Sequence, residues 1–489
     1  VRWLMLIAFA MLAALTIHAH TLWFDEMQAW NIARASGSVG DLASNLRYEG
    51  HPILWYLPLL VLTRFTGNSH AMQVLQWCIT VTTAALVLFH APLKLSLRVL
   101  LLAGYFFAFE YGVFARSYGL GALLLVTALL LVARPQPRWI WATVALVALA
   151  FTSLPGAVVA IAFAGAIALD SRLRQSVCAR ALAIVVVVIS AAVAFVCIPP
   201  DDFGNLTPGI GDSSRFGSGA AVRVASSAGA VWRALVPLPS SIGQWNSNVL
   251  DRQAGAVWIE AALSVALFGV VFVVFRGRPF ARRLWWIGNL GLFAFFLVVT
   301  RPEAIRHAGF AFLLFVACVW CAYAPPGEQR IDDATTDRGT RDTLATVVLV
   351  VLAAQVVATL AVLPSASTED FSRDRVLADA VHRAHLDDAI VSAQDWDATT
   401  IGGSLDRSVW SLARGESIKF LTTDARQERG LDRLNTKTVA CGSQRRANEV
   451  DRPVAVVVAG TLPGHEVLVR HDGATIYRFV PGPLPVDCN

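Results

Sequence analysis

For its first 364 residues the chain alternates long apolar runs with short polar breaks, and then that rhythm stops. A helix needs about 20 mainly apolar residues to cross the hydrocarbon of a bilayer. Eleven segments meet or approach that length: 2–22, 72–90, 96–109, 116–133, 138–152, 155–169, 180–198, 255–275, 283–300, 306–323 and 343–363. The run 52–65 (PILWYLPLLVLTRF) is apolar but short, and reads either as a twelfth span or as a helix lying at the interface. The first run is longer than a signal-peptide core and has no A-x-A site before HAHTLWFDE, so it is expected to be a retained helix.

Basic residues then set the orientation. If 52–65 does not cross, one set of loops holds Lys94 and Arg98; Arg134 and Arg138; Arg172, Arg174 and Arg180; Arg276, Arg278, Arg282 and Arg283; and Arg330, Arg338 and Arg341, with Arg2 on the same side. The opposite connections are poorer in base, and Ser153–Pro155 has none. If 52–65 crossed, Arg2 would lie opposite the most basic loops. The positive-inside rule therefore places 52–65 at the outer interface, within a long external loop 22–71. The loop 199–254, the mouth near Glu110, the turn 300–306 and the tail after Pro364 are expected on the same outer face. The segment 325–342 reads as a polar linker.

The tail 365–489 is richer in Asp and Arg. DDAIVSAQDW, SIKFLTT, VAVVVAG, HEVLVRH and ATIYRFV read as short strands, and RDRVLADAVHRAHL as an amphipathic helix. The expected fold is mainly α: a polytopic membrane protein of about 11 transmembrane helices over 1–364, followed by a small α/β domain over 365–489.

Composition agrees. Apolar residues make up 56% of the chain and charged residues 15%, where a soluble globule carries about a quarter. The net charge of +5 is dispersed, with no basic cluster for nucleic acid. Of seven cysteines, only Cys441 and Cys488 fall in the external tail, where an oxidising compartment lets them pair. Cys318 and Cys321 have C-x-x-C spacing but sit in an apolar helix with no second ligand pair.

Chemistry is sought where polar groups gather at the membrane edge. Asp25 and Glu26 follow the first helix in WFDE and precede an amphipathic stretch. They are either solvated loop acids or carboxylates held at headgroup level, where one can serve as a general base. Glu49-Gly50-His51-Pro52 enters the interfacial segment, with His51 either capping that helix or bonding a backbone carbonyl, or else binding acceptor or orienting a carboxylate. Glu110 precedes Arg116-Ser117-Tyr118 at a helix mouth, as an ion pair with Arg116 or as a further carboxylate of a site. Arg301, Arg306 and His307 cluster at the start of a late span. Cations there oppose the helix dipole, and a phosphate would relieve the conflict; the bland reading is snorkelling.

This order of features resembles the integral-membrane glycosyltransferases of the C fold, and among them the protein O-mannosyltransferase and aminoarabinose-transferase branch. The likeness spans residues 1 to about 325 and is carried chiefly by WFDE and GHPILWYLPLL. The second motif reads HPILWY where relatives commonly have HPPLYY or HPPLGK, and Glu110 precedes the R-x-Y where many relatives place an Asp slightly later. The resemblance implies transfer of a sugar from a polyprenyl-phosphate donor to a glycan, lipid or protein acceptor on the external face of the plasma membrane, with inversion. It implies Asp25 as base, with Glu26 and Glu110 as further catalytic carboxylates. His51, Arg116, Tyr118, Arg306 and His307 would bind substrate. No metal ligand set is legible, and a divalent metal is left open. Two other classes compete: a flippase or transporter for lipid-linked sugars, and a non-catalytic envelope-assembly subunit. Transporters place ionisable groups deep in their spans; here Glu260 is the main such group.

Overall fold

The structure is a computed structural model and describes residues 1–200, 219–299, 304–327, 338–368, 374–462, 464–471, 473–484 and 488. Arg301, Arg330 and residues 201–218 of the second loop lie outside the described residues. The chain forms two compact units. One comprises Val1–His20, Gln73–Cys197 and Pro208–Glu369; the other is built mainly from Thr21–Met72 and Asp370–Asn489.

In chain order the helices are α1 (Arg2–Ala19), α2 (Phe24–Ala35), α3 (Val39–Asn45), α4 (Tyr56–Leu62), α5 (His70–His90), α6 (Leu95–Leu102), α7 (Ser117–Val132), α8 (Trp139–Ala150), α9 (Leu154–Ala168) and α10 (Val177–Val196). There follow α11 (Ala220–Ala228), α12 (Ala230–Leu235), α13 (Ala256–Val274), α14 (Pro279–Val298), α15 (Ile305–Tyr323), α16 (Arg338–Val362) and α17 (Ser365–Thr368). The tail adds α18 (Asp374–Arg383), α19 (Asp395–Ser404), α20 (Ala425–Leu431) and α21 (Thr436–Val450).

The first unit is a helical bundle. Among the described residues six helices are long and apolar enough to cross a membrane: α1, α5, α10, α13, α15 and the Asp342–Val362 part of α16. The other expected segments correspond to α6 with the π turn Phe106–Glu110 that follows it, and to α7, α8, α9 and α14. Large apolar side chains stay exposed along the outer helices, as at Trp3, Leu4 and Leu15 of α1 or Val350 and Leu360 of α16. In water such surface is unfavourable; in lipid it is the solvent-facing side. α15 lies among α7, α9, α12 and α14 and is buried nearly throughout. Helix starts are made locally. Ser153 caps α9 by accepting from the Gly156 N–H at 3.1 Å, with Pro155 in the first turn. Glu260, the carboxylate inside α13, pairs with Arg233 of α12 at 2.9 Å.

The second unit has a six-stranded sheet of order β3-β2-β1-β4-β6-β5. The strands are β1 (Ile390–Ser392), β2 (Val409–Ser411), β3 (Glu416–Ile418), β4 (Val454–Ala459), β5 (Glu466–His471) and β6 (Ala474–Phe479). β1 is parallel to β2 and β4; the remaining pairs are antiparallel. One face packs Leu377, Val381 and Ile401 from α18 and α19, and the other packs Val439 and Ala447 from α21. Cys441 of α21 is bonded to Cys488.

Several expectations change in detail. DDAIVSAQDW keeps only three strand residues before Asp395 opens α19, and of SIKFLTT only Ser417 and Ile418 are strand, continuing from Glu416. The larger difference concerns the loop 22–71, read from sequence as an excursion of the membrane domain. It packs with the tail in one compact unit. Ile53–Leu62 is ten residues long, about 15 Å of helix at most, half of what a crossing requires. It packs against α2 inside this unit.

Candidate functional site

The residues singled out in the sequence fall into two groups, one in each unit. Glu110, Arg116, Tyr118, Arg306 and His307 belong to the first; Asp25, Glu26 and His51 belong to the second.

In the first unit the chain leaves α6, makes the π turn Phe106–Glu110, and enters α7 after a short turn. That turn buries backbone carbonyls that need donors. α5 supplies them: Gln76 Nε2 donates to Tyr111 O at 2.7 Å, and Thr80 Oγ1 to Gly112 O at 2.9 Å. The turn is thereby fixed, and Glu110 is held only 3% exposed. Its Oε2 accepts from Tyr105 Oη and from Trp245 Nε1, each at 2.8 Å. Trp245 stacks on Phe114 at 4.9 Å, and His20 meets Phe114 edge-on at 4.6 Å. The Arg306 guanidinium lies near enough to act through space on the Glu110 carboxylate.

α15 begins beside this turn. Asn246 Oδ1 accepts from the Ile305 N–H at 3.1 Å, and Tyr111 Oη donates to Arg306 O at 2.6 Å. One turn on, a methyl at Gly309 would collide with Phe106 and the Tyr111 hydroxyl, so only glycine allows this approach. His307 Nε2 lies 3.0 Å from Tyr118 Oη, and the Arg116 guanidinium carbon lies 5.8 Å from the Tyr118 ring centroid. The first unit thus gathers Arg116, Tyr118, Arg306 and His307 around the N-terminus of α15, while Glu110 is bonded to Tyr105 and Trp245. A helix N-terminus with an arginine and a histidine within its first turn suits a phosphate.

In the second unit Asp25 and Glu26 open α2. Acids in a first turn favour the helix. Glu26 is fully buried, and its Oε2 accepts from the Trp23 N–H at 2.7 Å, a cap that commits it to the backbone. Asp25 is partly exposed. Of the two acids it is the one a substrate hydroxyl can reach. Phe24 stacks on Trp396 of α19 at 3.6 Å. In the Glu49–Pro52 turn Gly50 has φ +64°, the left-handed region where glycine costs least. His51 Nδ1 sits 2.7 Å from Glu49 O. A carbonyl only accepts, so Nδ1 carries the proton, and in the neutral ring Nε2 is an acceptor.

Sequence reasoning did not single out Tyr105, Trp245, Asn246 or His20. Asn246 has φ +51° and Trp245 is an indole in a polar loop, but neither carries a spacing that ties it to a residue 59 to 135 positions away.

No family model matches the chain, and no curated protein does. Among solved structures, ArnT from Cupriavidus metallidurans, crystallised with undecaprenyl phosphate bound, is similar over 98% of this chain and 99% of its own, with a TM-score of 0.51 at 13% identity. At that identity the likeness is one of fold alone: the chain shares its overall architecture with that protein.

Proposed function

We propose that the protein is a membrane glycosyltransferase that moves a sugar from a polyprenyl-phosphate carrier to an acceptor hydroxyl of a glycan, lipid or protein at the outer face of the plasma membrane. The observation that carries this reading is the gathering of Arg306, His307, Arg116 and Tyr118 at the N-terminus of α15 in a membrane bundle. That arrangement suits a phosphate at headgroup depth, and the fold is shared with a protein solved with a polyprenyl phosphate.

The chemistry needs a base and an anion stabiliser. By the resemblance above, Asp25 is the base that takes the acceptor hydroxyl proton. The oxygen then attacks the anomeric carbon as the bond from that carbon to the phosphate oxygen breaks. Polyprenyl phosphate leaves with the electron pair, its charge met by Arg306 with Arg116 and His307. One displacement inverts the anomeric centre. Glu260, the carboxylate inside α13, is paired with Arg233.

The test is transfer by purified protein in lipid nanodiscs, supplied with undecaprenyl-phosphate-linked sugar and a cell-envelope extract as acceptor. Release of undecaprenyl phosphate matched by labelled sugar in the acceptor is expected. Movement of intact lipid-linked sugar between leaflets without its cleavage would instead identify a flippase.

A further inference from the structure

Gln28 lies one turn beyond Asp25 on α2 and is 6% exposed. A buried primary amide has two donors and an acceptor to satisfy. Here each has a partner. Nε2 donates to Leu421 O at 2.7 Å and to Glu49 Oε1 at 2.8 Å, and Oε1 accepts from the Leu421 N–H at 3.1 Å. The amide thus meets both backbone groups of Leu421 as a neighbouring strand would, and gives its remaining proton to the turn that bears His51.

The orientation of this amide is determined by its partners. Glu49 offers a carboxylate, which only accepts while ionised, so the nitrogen must face it. Leu421 offers one donor and one acceptor, matched by the amide in a single sense. Other contacts hold α2 in the same unit. Asn31 Nδ2 donates to Thr399 O at 2.9 Å, Arg34 pairs with Asp406 at 2.6 Å, and a methyl at Gly403 would run into Asn31 and Met27. Each of these joins α2 to the tail alone. Gln28 joins three pieces: the helix of Asp25, the Glu49–His51 turn, and the tail backbone.

We infer that Gln28 is a positioning residue for the reaction, its amide locking the Asp25 helix and the Glu49–His51 turn onto Leu421 and so setting where Asp25 presents its carboxylate. This rests on the glycosyltransferase reading above. Small displacements of a base cost large factors in rate, so the effect belongs in kcat and not in carrier binding.

The test compares the full-length parent, Gln28→Glu, Asn31→Leu, and the double variant Gln28→Glu/Glu49→Gln in nanodiscs, measuring kcat, carrier KM and melting temperature. Gln28→Glu sets a second carboxylate against Glu49 and the Leu421 carbonyl. It is expected to lower kcat ten- to a hundredfold with carrier KM within twofold. Asn31→Leu removes a bond between the same helix and the same tail, and is expected to lower the melting temperature with kcat within threefold. In the double variant Glu49→Gln restores a donor facing position 28, and kcat should recover at least fivefold. Parental kcat in Gln28→Glu beside an active parent overturns the inference alone. So does a kcat loss that Asn31→Leu reproduces and the double variant fails to recover. No transfer by the parent would overturn the functional reading and this inference with it.

Discussion

The hydroxyl of Tyr105 donates to Glu110 Oε2 at 2.8 Å, on the same oxygen that the Trp245 indole reaches from another segment. A carboxylate that already accepts two hydrogen bonds is better suited to acting through space on Arg306 than to collecting protons from an acceptor. Glu110→Gln keeps the shape and removes the charge. It is expected to weaken carrier binding by about three- to tenfold, consistent with loss of ~1 kcal/mol, and to leave the acid limb of the kcat–pH profile where it was. A kcat loss of a hundredfold or more at normal carrier affinity would assign the base to Glu110 instead.

Asp25→Asn should preserve folding and carrier affinity and reduce turnover by roughly 10²–10⁴-fold, the usual contribution of a general base. Single-turnover transfer in the purified variant measures this directly. Turnover within tenfold of the parent would remove Asp25 from the mechanism. Glu26→Gln should behave differently. It weakens the cap on Trp23, so it should cost about 0.5–2 kcal/mol of stability, seen as a lower melting temperature with comparatively little change in kcat.

Arg306→Met retains an apolar stem and removes the charge. A charge-assisted contact to phosphate is worth about 1.5–3 kcal/mol, so undecaprenyl phosphate should bind roughly ten- to a hundredfold more weakly. Arg306→Lys should recover part of this, because an ammonium lacks the planar fork. Unchanged affinity in Arg306→Met would leave the side chain as an interfacial snorkel and send the search to Arg116.

Glu260→Gln separates structure from transport. Breaking a buried pair strands a charge and costs about 3–5 kcal/mol, though Asp251 also reaches Arg233, at 2.5 Å, and softens the loss. The variant is expected to melt earlier and to transfer sugar normally per folded molecule. Normal stability with loss of lipid movement across the bilayer would favour the transporter.

The tail responds to acid through Asp424. Burial alone would raise its pKa, but the two-point contact with Arg414 at 2.9 and 3.1 Å and the Gln427 N–H at 2.8 Å outweigh it, and the carboxyl titrates below its ordinary value. A depressed folded pKa stabilises fully above the unfolded value, near 3.9, and that stability is lost as pH falls through the folded one. The parent should therefore be more stable than Asp424→Asn at pH 7, with the gap closing below about pH 4. A gap that stays constant into acid would exclude ionisation as its source.

The membrane helices were legible because lipid imposes length and apolarity on each of them. The eleven runs read from the sequence correspond to helices starting within about five residues of the expected positions. The hydrophobic strands β4 and β6 were equally plain. α19 was not: DWDATTIGGS combines two glycines with β-branched residues and buries almost every side chain, so no amphipathic stripe marks it. β2 is three residues long and leaves no alternation to read. At the site, Asp25, Arg306 and His307 were visible as charges placed where charge is costly. Tyr105, Trp245 and Gln28 were not, because neutral polar side chains show their role only through partners far along the chain.

The clasp between Gln28 and Leu421 joins residues 393 positions apart, so it also orders events in time. At ~5–20 residues per second a ribosome needs about 20 to 80 s to make the stretch between them. Throughout that interval α2 has emerged but its seat has not been synthesised. Its Asp25 turn is then without the contacts that orient it. A chain halted before Leu421 can insert its bundle and still lack a finished second unit, so competence for chemistry is acquired late in biogenesis, as a checkpoint on completeness.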